Sequence, residues 1–263
     1  MGERHWGYPW KFHVRFIQSP HDHASVGTVS RTRSLKQLLA GDPGELERQI
    51  RSHDYRRVLG YAAVTAVGTA VYGATFGLWR SELQALSTAL KFPLVIFLTC
   101  AGNGLLNGLI GVLLGTGLGL RESAVAILMS FTITALVLAG FAPVMLFVLW
   151  NTPGMGSAQA GVGQSITLLA HVAAIAIAGY IGNVRLWRLL RCVTGSDWGG
   201  HRVLFAWLAG NLLLGSQVAW ILRPWTGAPG SPISFLSPEP LHGNFFEAVG
   251  AALQNILHHT SQP

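Results

Sequence analysis

The stretch AVAILMSFTITALVLAGFAPVMLFVLW, Ala124 to Trp150, decides the class of fold. It contains no charged side chain, and it is longer than the roughly 20 apolar residues that carry a helix across a hydrocarbon layer of about 30 Å. The length leaves room for tilt, and Pro143 is the residue at which a kink is expected. This stretch therefore predicts a membrane-spanning helix.

The remainder of the chain has the same character. Of its 263 residues, 50% are hydrophobic and only 11% are charged, and the mean hydropathy is +0.41. A soluble protein of this length needs more charge to cover its surface. The predicted fold is all-α, a polytopic bundle of five transmembrane helices with amphipathic interfacial helices at both ends. The five predicted spans are Val58–Trp79, Phe92–Gly115, Ala124–Trp150, Ser165–Val184 and Val203–Leu222.

The basic residues separate between the two sides of this predicted bundle. Of the 18 Lys and Arg residues, all but Arg80, Lys91 and Arg223 precede the first span or lie in the loops after the second and fourth spans. Cytoplasmic loops carry the excess of Lys and Arg, so the N-terminus is predicted to be cytoplasmic. Five crossings then place the C-terminus outside, which explains why no Lys or Arg follows Arg223.

A basic and aromatic cytoplasmic segment, residues 1–57, precedes the transmembrane domain at 58–222. Aromatic and basic residues are interleaved in Trp6–Phe16, and apolar residues alternate with polar ones in its second half, which predicts a short strand or an interfacial segment. Docking on a membrane surface or a partner is preferred over nucleic-acid binding. Further on, Asp42 is the predicted N-cap of a helix, with Pro43 at its first position and Glu45 closing a capping box. This helix is expected to run into the first span.

The extracytoplasmic tail, residues 223–263, begins with a proline-rich segment that favours an extended course. An amphipathic helix is then predicted, capped by Asn244 and Glu247, that lies on the outer surface or docks on the bundle. Two interpretations of Arg223 are weighed equally. Its guanidinium reaches lipid phosphate at the membrane boundary, which Trp225 would help to anchor, or it pairs with the carboxylate of Glu239 or Glu247 and folds the tail back.

Small and amide residues recur every four positions in the second span, where they allow close helix approach or cross-helix hydrogen bonds. Packing within one bundle is the preferred interpretation, ahead of a homo-oligomer seam and a polar substrate path. Gly73 and Gly77 in the first span have the same spacing. The residues assigned to helix packing or to a polar path are Asn103, Gly104, Asn107, Gly108, Gly111, Gly115, Asn211 and Gln217.

Charged residues are predicted to be absent from the span interiors, which counts against coupled transport. His171 is the one His well inside a span, and a hydrogen bond to a neighbouring helix is preferred over haem ligation, which would need a facing partner such as His201. His21 and His23 are too few for a metal site. Hydrolase, zinc-protease and nucleotide-binding motifs are missing, so no catalytic residue, cofactor or metal is predicted.

Several stretches resemble a known family. LLAGDPGELERQI (Leu38–Ile50) before five spans, followed by KFPLVIFLTCAGNGLLNGLIG (Lys91–Gly111), is similar to the Yip1-like membrane proteins. LAGFAPVMLFVLW (Leu138–Trp150) and the tail are also similar to a group of uncharacterised bacterial integral membrane proteins. The resemblance covers about Ser34–His258.

This resemblance implies a non-enzymatic membrane adaptor or scaffold in the plasma (inner) membrane, since Yip1 relatives act by binding partners and offer no catalytic residues. The expected contacts are the lipid bilayer and a protein partner or a second copy, with no nucleic acid. The basic cytoplasmic segment would bind the partner or anionic lipid. The alternative is a channel or transport-complex subunit that uses the Gly/Asn face of the second helix.

Overall fold

The computed structural model describes residues 36–38, 43–113, 119–194, 197–227 and 233–260. All regular structure within these residues is helical, as predicted. A helical turn at 36–38 precedes α1 (Pro43–Arg51), α2 (Tyr55–Leu78), α3 (Glu82–Leu113), α4 (Leu120–Trp150), α5 (Ala160–Thr194), α6 (Asp197–Ile221) and α7 (Phe245–Thr260). The predicted strand or interfacial segment at Trp6–Phe16 and the His21, His23 pair lie outside the described residues.

Among the described residues, four helical segments are long and apolar enough to cross a membrane: Tyr55–Leu78, Glu82–Leu106, Leu120–Trp150 and Ala160–Arg188. They overlap the first four predicted spans, and the second begins ten residues earlier than predicted. The fifth predicted span overlaps α6, several of whose side chains lie outside the described residues, and the five-span arrangement stays a prediction.

The helices α2 to α6 close a ring. Within it, α2 contacts α3 and α4, α6 contacts α3 and α5, α4 contacts α5, and α3 and α4 meet across the middle. Helix α1 packs near the C-terminal end of α5, whereas the segment after α6 and helix α7 pack near its N-terminal end. We call these two ends of the bundle the α1 end and the tail end.

Helix α1 does not run into α2, so the predicted continuous helix is wrong. It ends at Arg51, and Asp54 begins a separate helix by accepting hydrogen bonds from the backbone N–H groups of Arg56 and Arg57 at 3.1 and 3.3 Å. An Asp at this position satisfies donors that have no partner inside the helix, which favours a new start over continuation. The chain therefore turns at 52–54 and α1 folds onto the bundle.

Helix α1 is held by burial and by one guanidinium. Leu38, Leu46 and Ile50 are buried in a cluster that includes Leu186 of α5. Arg121 at the start of α4 donates to the carbonyl oxygens of Ile50 (3.3 Å) and Ser52 (2.6 Å), which lie at the end of α1. A cation at a helix C-terminus supplies the partners that the last carbonyls lack. Helix α1 is thus a fixed part of the α1 end.

Two glycines bring α2 close to α3, and their predicted role in helix packing is confirmed. A Cβ atom on Gly73 would lie 2.7 Å from the Thr88 carbonyl oxygen, and one on Gly77 would overlap the backbone carbonyl of Gln84. Small residues four apart permit this distance between helix backbones. The contact fixes the first turns of α3 against α2.

Candidate functional site

Polar side chains of the bundle donate hydrogen bonds to the tail directly after α6. Gln84 Nε2 donates to the carbonyl oxygens of Pro224 (3.1 Å) and Trp225 (2.9 Å), and Lys91 Nζ donates to that of Pro224 (2.9 Å). Gln164 Nε2 of α5 donates to the Gly227 carbonyl oxygen at 3.0 Å. We call Gln84, Lys91 and Gln164 the tail clamp. Because the tail here is not helical, these donors satisfy carbonyls that would otherwise lack partners.

Lys91 lies within an apolar helix, which corrects the prediction that the spans hold no charge. Helix α3 begins at Glu82, ten residues before the predicted span, because the Ser81 hydroxyl accepts from the Gln84 N–H at 3.2 Å and starts the helix there. Lys91 is fully buried, and its Nζ lies 4.9 Å from the centroid of the Phe235 ring. No carboxylate within the described residues forms an ion pair with it. Its charge is met by a carbonyl and aromatic faces.

An aromatic cluster lies directly beneath the tail clamp. His171 is fully buried, its Nδ1 is 2.9 Å from the Tyr72 hydroxyl, and its ring stacks on Phe76 at 3.8 Å between centroids. This cross-helix bond is the one predicted for His171. Trp225 of the tail contacts Phe76 and Phe92 at 5.8 and 5.5 Å between centroids. The tail therefore closes the bundle with an aromatic side chain as well as with its backbone.

Two basic side chains, Lys91 of the tail clamp and His171 of the aromatic cluster, are buried away from solvent. Among the described residues, His171 Nε2 has no hydrogen-bond partner. The same part of the chain holds no group of three or more His, Cys, Asp or Glu that could bind a metal ion. Gln84, Lys91 and Gln164 each donate to at least one tail carbonyl, so the tail covers this part of the bundle.

Arg223 docks the tail through carbonyl oxygens. Its guanidinium donates to those of Glu239 (2.6 Å), Pro240 (3.1 Å) and His242 (2.9 Å), and it stacks on the Trp220 ring at 3.9 Å. Within the described residues no ion pair joins Arg223 to a carboxylate. The tail folds back onto Arg223, as one of the two interpretations predicted. The acceptor at Glu239 is its backbone carbonyl oxygen and not its carboxylate.

The other predicted tail residues have separate roles. Trp225 Nε1 donates to the Ala219 carbonyl oxygen at 2.9 Å, which fixes the ring over the bundle. Glu247 accepts from Asn244 Nδ2 at 2.6 Å while its backbone N–H donates to Asn244 Oδ1 at 3.0 Å, so the predicted cap of α7 is confirmed. Helix α7 then docks on α5, because Asn255 Nδ2 donates to Ser165 Oγ at 3.0 Å.

The predicted Gly/Asn row is used in part for packing between α3 and its neighbours. Asn103 Nδ2 donates to Asn211 Oδ1 at 2.5 Å, and a Cβ on Gly104 would lie 3.3 Å from Ala124 of α4. Gln217 is exposed and lies apart from this pair. The side chains at positions 107, 108 and 111, and all of Gly115, fall outside the described residues.

Sequence reasoning missed the tail clamp, although the chain carries a signal for it. Gln84, Thr88 and Lys91 occupy positions i, i+4 and i+7 of α3, and all three are fully buried. A polar row at this spacing lies on one helix face. A proline-rich segment is not helical, so its backbone carbonyls need hydrogen-bond donors from elsewhere. A buried polar row in the same chain indicates a docking surface for that segment.

No family model matches the chain, and neither a curated protein nor a solved structure matches it.

Proposed function

We propose that the chain is a non-enzymatic membrane scaffold that presents a basic surface at its α1 end to a protein partner or to anionic lipid. The observation that carries this proposal is the docking of α1, which Arg121 and the burial of Leu46 and Ile50 hold in one position. A fixed surface offers partner binding with little ordering cost. The resemblance to Yip1-like proteins is in keeping with such a role.

Charge at the α1 end supports this surface. The side chains described at this end include twice as many basic as acidic ones. The basic ones are Lys36, Arg48, Arg51, Arg56, Arg57, Arg121, Arg185 and Arg188, and the acidic ones are Glu45, Glu47, Asp54 and Glu122. Three ion pairs within this set use Glu45, Glu47 and Asp54. The remaining excess is positive and attracts acidic surfaces of proteins or lipids.

The orientation belongs to the proposal: five spans in the plasma (inner) membrane, with the α1 end cytoplasmic and the tail outside. We expect single cysteines at Ser157 and Ser234 to react with an impermeant thiol reagent on intact cells, and one at Ser34 to stay unlabelled until the membrane is permeabilised. A background without Cys100 and Cys192 serves as the control. Labelling at Ser34 from outside contradicts the orientation.

Neutralising the surface should release its partner. We expect the double variant Lys36→Gln, Arg56→Gln to lose proteins or anionic lipids that copurify from native membranes under gentle conditions, as measured by quantitative mass spectrometry. The matched control is Ser157→Glu, Ser234→Glu, which changes the net charge by the same amount at the tail end. Equal copurification by both double variants contradicts a role for the α1 end.

A transport-complex subunit is the second candidate, and Lys91 is the observation that favours it. An ionisable side chain within an apolar helix marks ion or substrate pathways in many membrane proteins. Lys91 lies under a tail that is held by hydrogen bonds and aromatic contacts, beside a cluster that includes His171. The test is anion flux into proteoliposomes that contain the protein. Flux with the wild type that is abolished in Lys91→Met would favour this function over the scaffold.

A further inference from the structure

A cleft lies between α3, α4, α5 and α6 and extends from the middle of the bundle toward the α1 end. Its volume is about 730 Å³, within the roughly 300–1,000 Å³ typical of ligand sites. Most of its walls are apolar side chains such as Phe131, Leu138 and Leu204. Tyr180 on α5 and Leu212 on α6 line it and are exposed, so it opens sideways between these two helices.

The length of the cleft fits one membrane leaflet. Its lining along α5 runs from Ile175 to Trp187, which at about 1.5 Å per residue is about 18 Å. Half of a hydrocarbon layer of about 30 Å is about 15 Å. A partner helix would cross both leaflets and extend well beyond the cleft, whereas an acyl chain ends near the middle of the layer.

The α1 end of the cleft is polar and basic. Asn183 Oδ1 is buried there and accepts no hydrogen bond from the described residues. Trp187 lines the same end, and Trp is enriched at the level of lipid headgroups. One turn beyond Val184, which also lines the cleft, Arg188 is exposed. Arginine binds phosphate oxygens through two parallel N–H groups.

We propose that this cleft binds an acyl chain of an anionic phospholipid, with the phosphate headgroup at Arg188. A second copy of the chain is a poorer occupant, because its own arginines would meet those at the end of α5. The walls of the cleft include no residue of α1, but Arg188 also belongs to the basic surface of the α1 end. Substitutions in the apolar walls therefore test this site independently of the partner that the surface binds.

Glycine positions allow a direct test. A Cβ on Gly179, which lines the cleft, meets nothing within 4 Å, and the same is true of Gly140 on α4, which does not line it. We expect Gly179→Leu to fill the cleft and to lower the affinity for phosphatidylglycerol at least about tenfold. A loss of this size follows if the leucine excludes about two methylene groups of the acyl chain, at about 0.8 kcal/mol each. Gly140→Leu is the matched control and should bind as the wild type does.

The measurement is native mass spectrometry of delipidated protein titrated in detergent with phosphatidylglycerol or phosphatidylcholine. Arg188→Gln should remove the preference for the anionic lipid and leave phosphatidylcholine binding unchanged. Ala176→Leu, also in the cleft wall, should reproduce the effect of Gly179→Leu, so that misfolding of one variant does not decide the result. Three results would each overturn the proposal. They are wild-type affinity in both leucine variants, equal affinity of the wild type for the two lipids, and a dimer that Gly179→Leu dissociates.

Discussion

We expect Gly77→Ala to lower the free energy of unfolding by about 2–3 kcal/mol, the upper part of the range for adding a methyl group to a packed interface. The new Cβ would overlap the backbone carbonyl of Gln84, and a backbone atom has no alternative rotamer through which to relieve the overlap. The first turns of α3 must therefore move away from α2. Thermal unfolding in detergent, followed by far-UV circular dichroism, measures the loss.

The same helix supplies the control for this prediction. Gly60 also lies in α2, and a Cβ there meets nothing within 4 Å. Gly60→Ala should be neutral or stabilising by up to about 1 kcal/mol, because Ala loses less backbone entropy in a helix. Equal melting temperatures for the two variants would mean that α2 and α3 are further apart at Gly77 than the structure has them.

A shift of α3 also reaches the tail. Gln84 is the residue that Gly77 contacts, and its side chain holds the carbonyls of Pro224 and Trp225. Gly77→Ala should for this reason make the tail easier to cleave, even though the substitution lies in a different part of the chain. Helix packing and tail docking are coupled through one glutamine.

The apolar runs were sufficient to predict where the long helices are, because a run of about 20 apolar residues has few other stable conformations in a bilayer. They were not sufficient to predict the start of α3. Gln84 and Lys91 look like a solvated approach to the membrane, and their burial depends on Pro224, which is more than 130 positions away in the chain. Hydropathy in a local window contains no information about such a partner.

Local chemistry explains the other differences. Asp54 is a good N-cap, so the separation of α1 from α2 could have been predicted from the residue types alone. The spacing of Gly73 and Gly77 predicted a close contact, but spacing does not specify the partner, which proved to be the first turns of α3. The role of Arg223 in docking was predicted as one of two alternatives. Its acceptors could not be predicted, because every residue has a backbone carbonyl and residue types do not indicate which carbonyls accept.

We expect Arg223→Gln to expose the tail to protease about 10–30 times faster than the wild type. The substitution removes three bonds to distant carbonyls, of Glu239, Pro240 and His242. Partly exposed bonds of this kind contribute about 0.5–1.5 kcal/mol each, so a total near 2 kcal/mol is reasonable. Cleavage follows the population of the open tail when opening is fast. Limited proteolysis of right-side-out vesicles, with cleavage after Phe245 and Phe246 as the readout, measures it.

Two further variants identify what Arg223 binds. Arg223→Lys should be nearly as sensitive as Arg223→Gln, because an ammonium group reaches fewer of the carbonyls at once and loses the planar stacking on Trp220. A contact with lipid phosphate alone would tolerate Lys. Glu239→Gln should protect the tail as well as the wild type does, since the backbone oxygen of this residue is the acceptor. Protection by Lys together with exposure by Glu239→Gln would instead place the docking contact on the carboxylate.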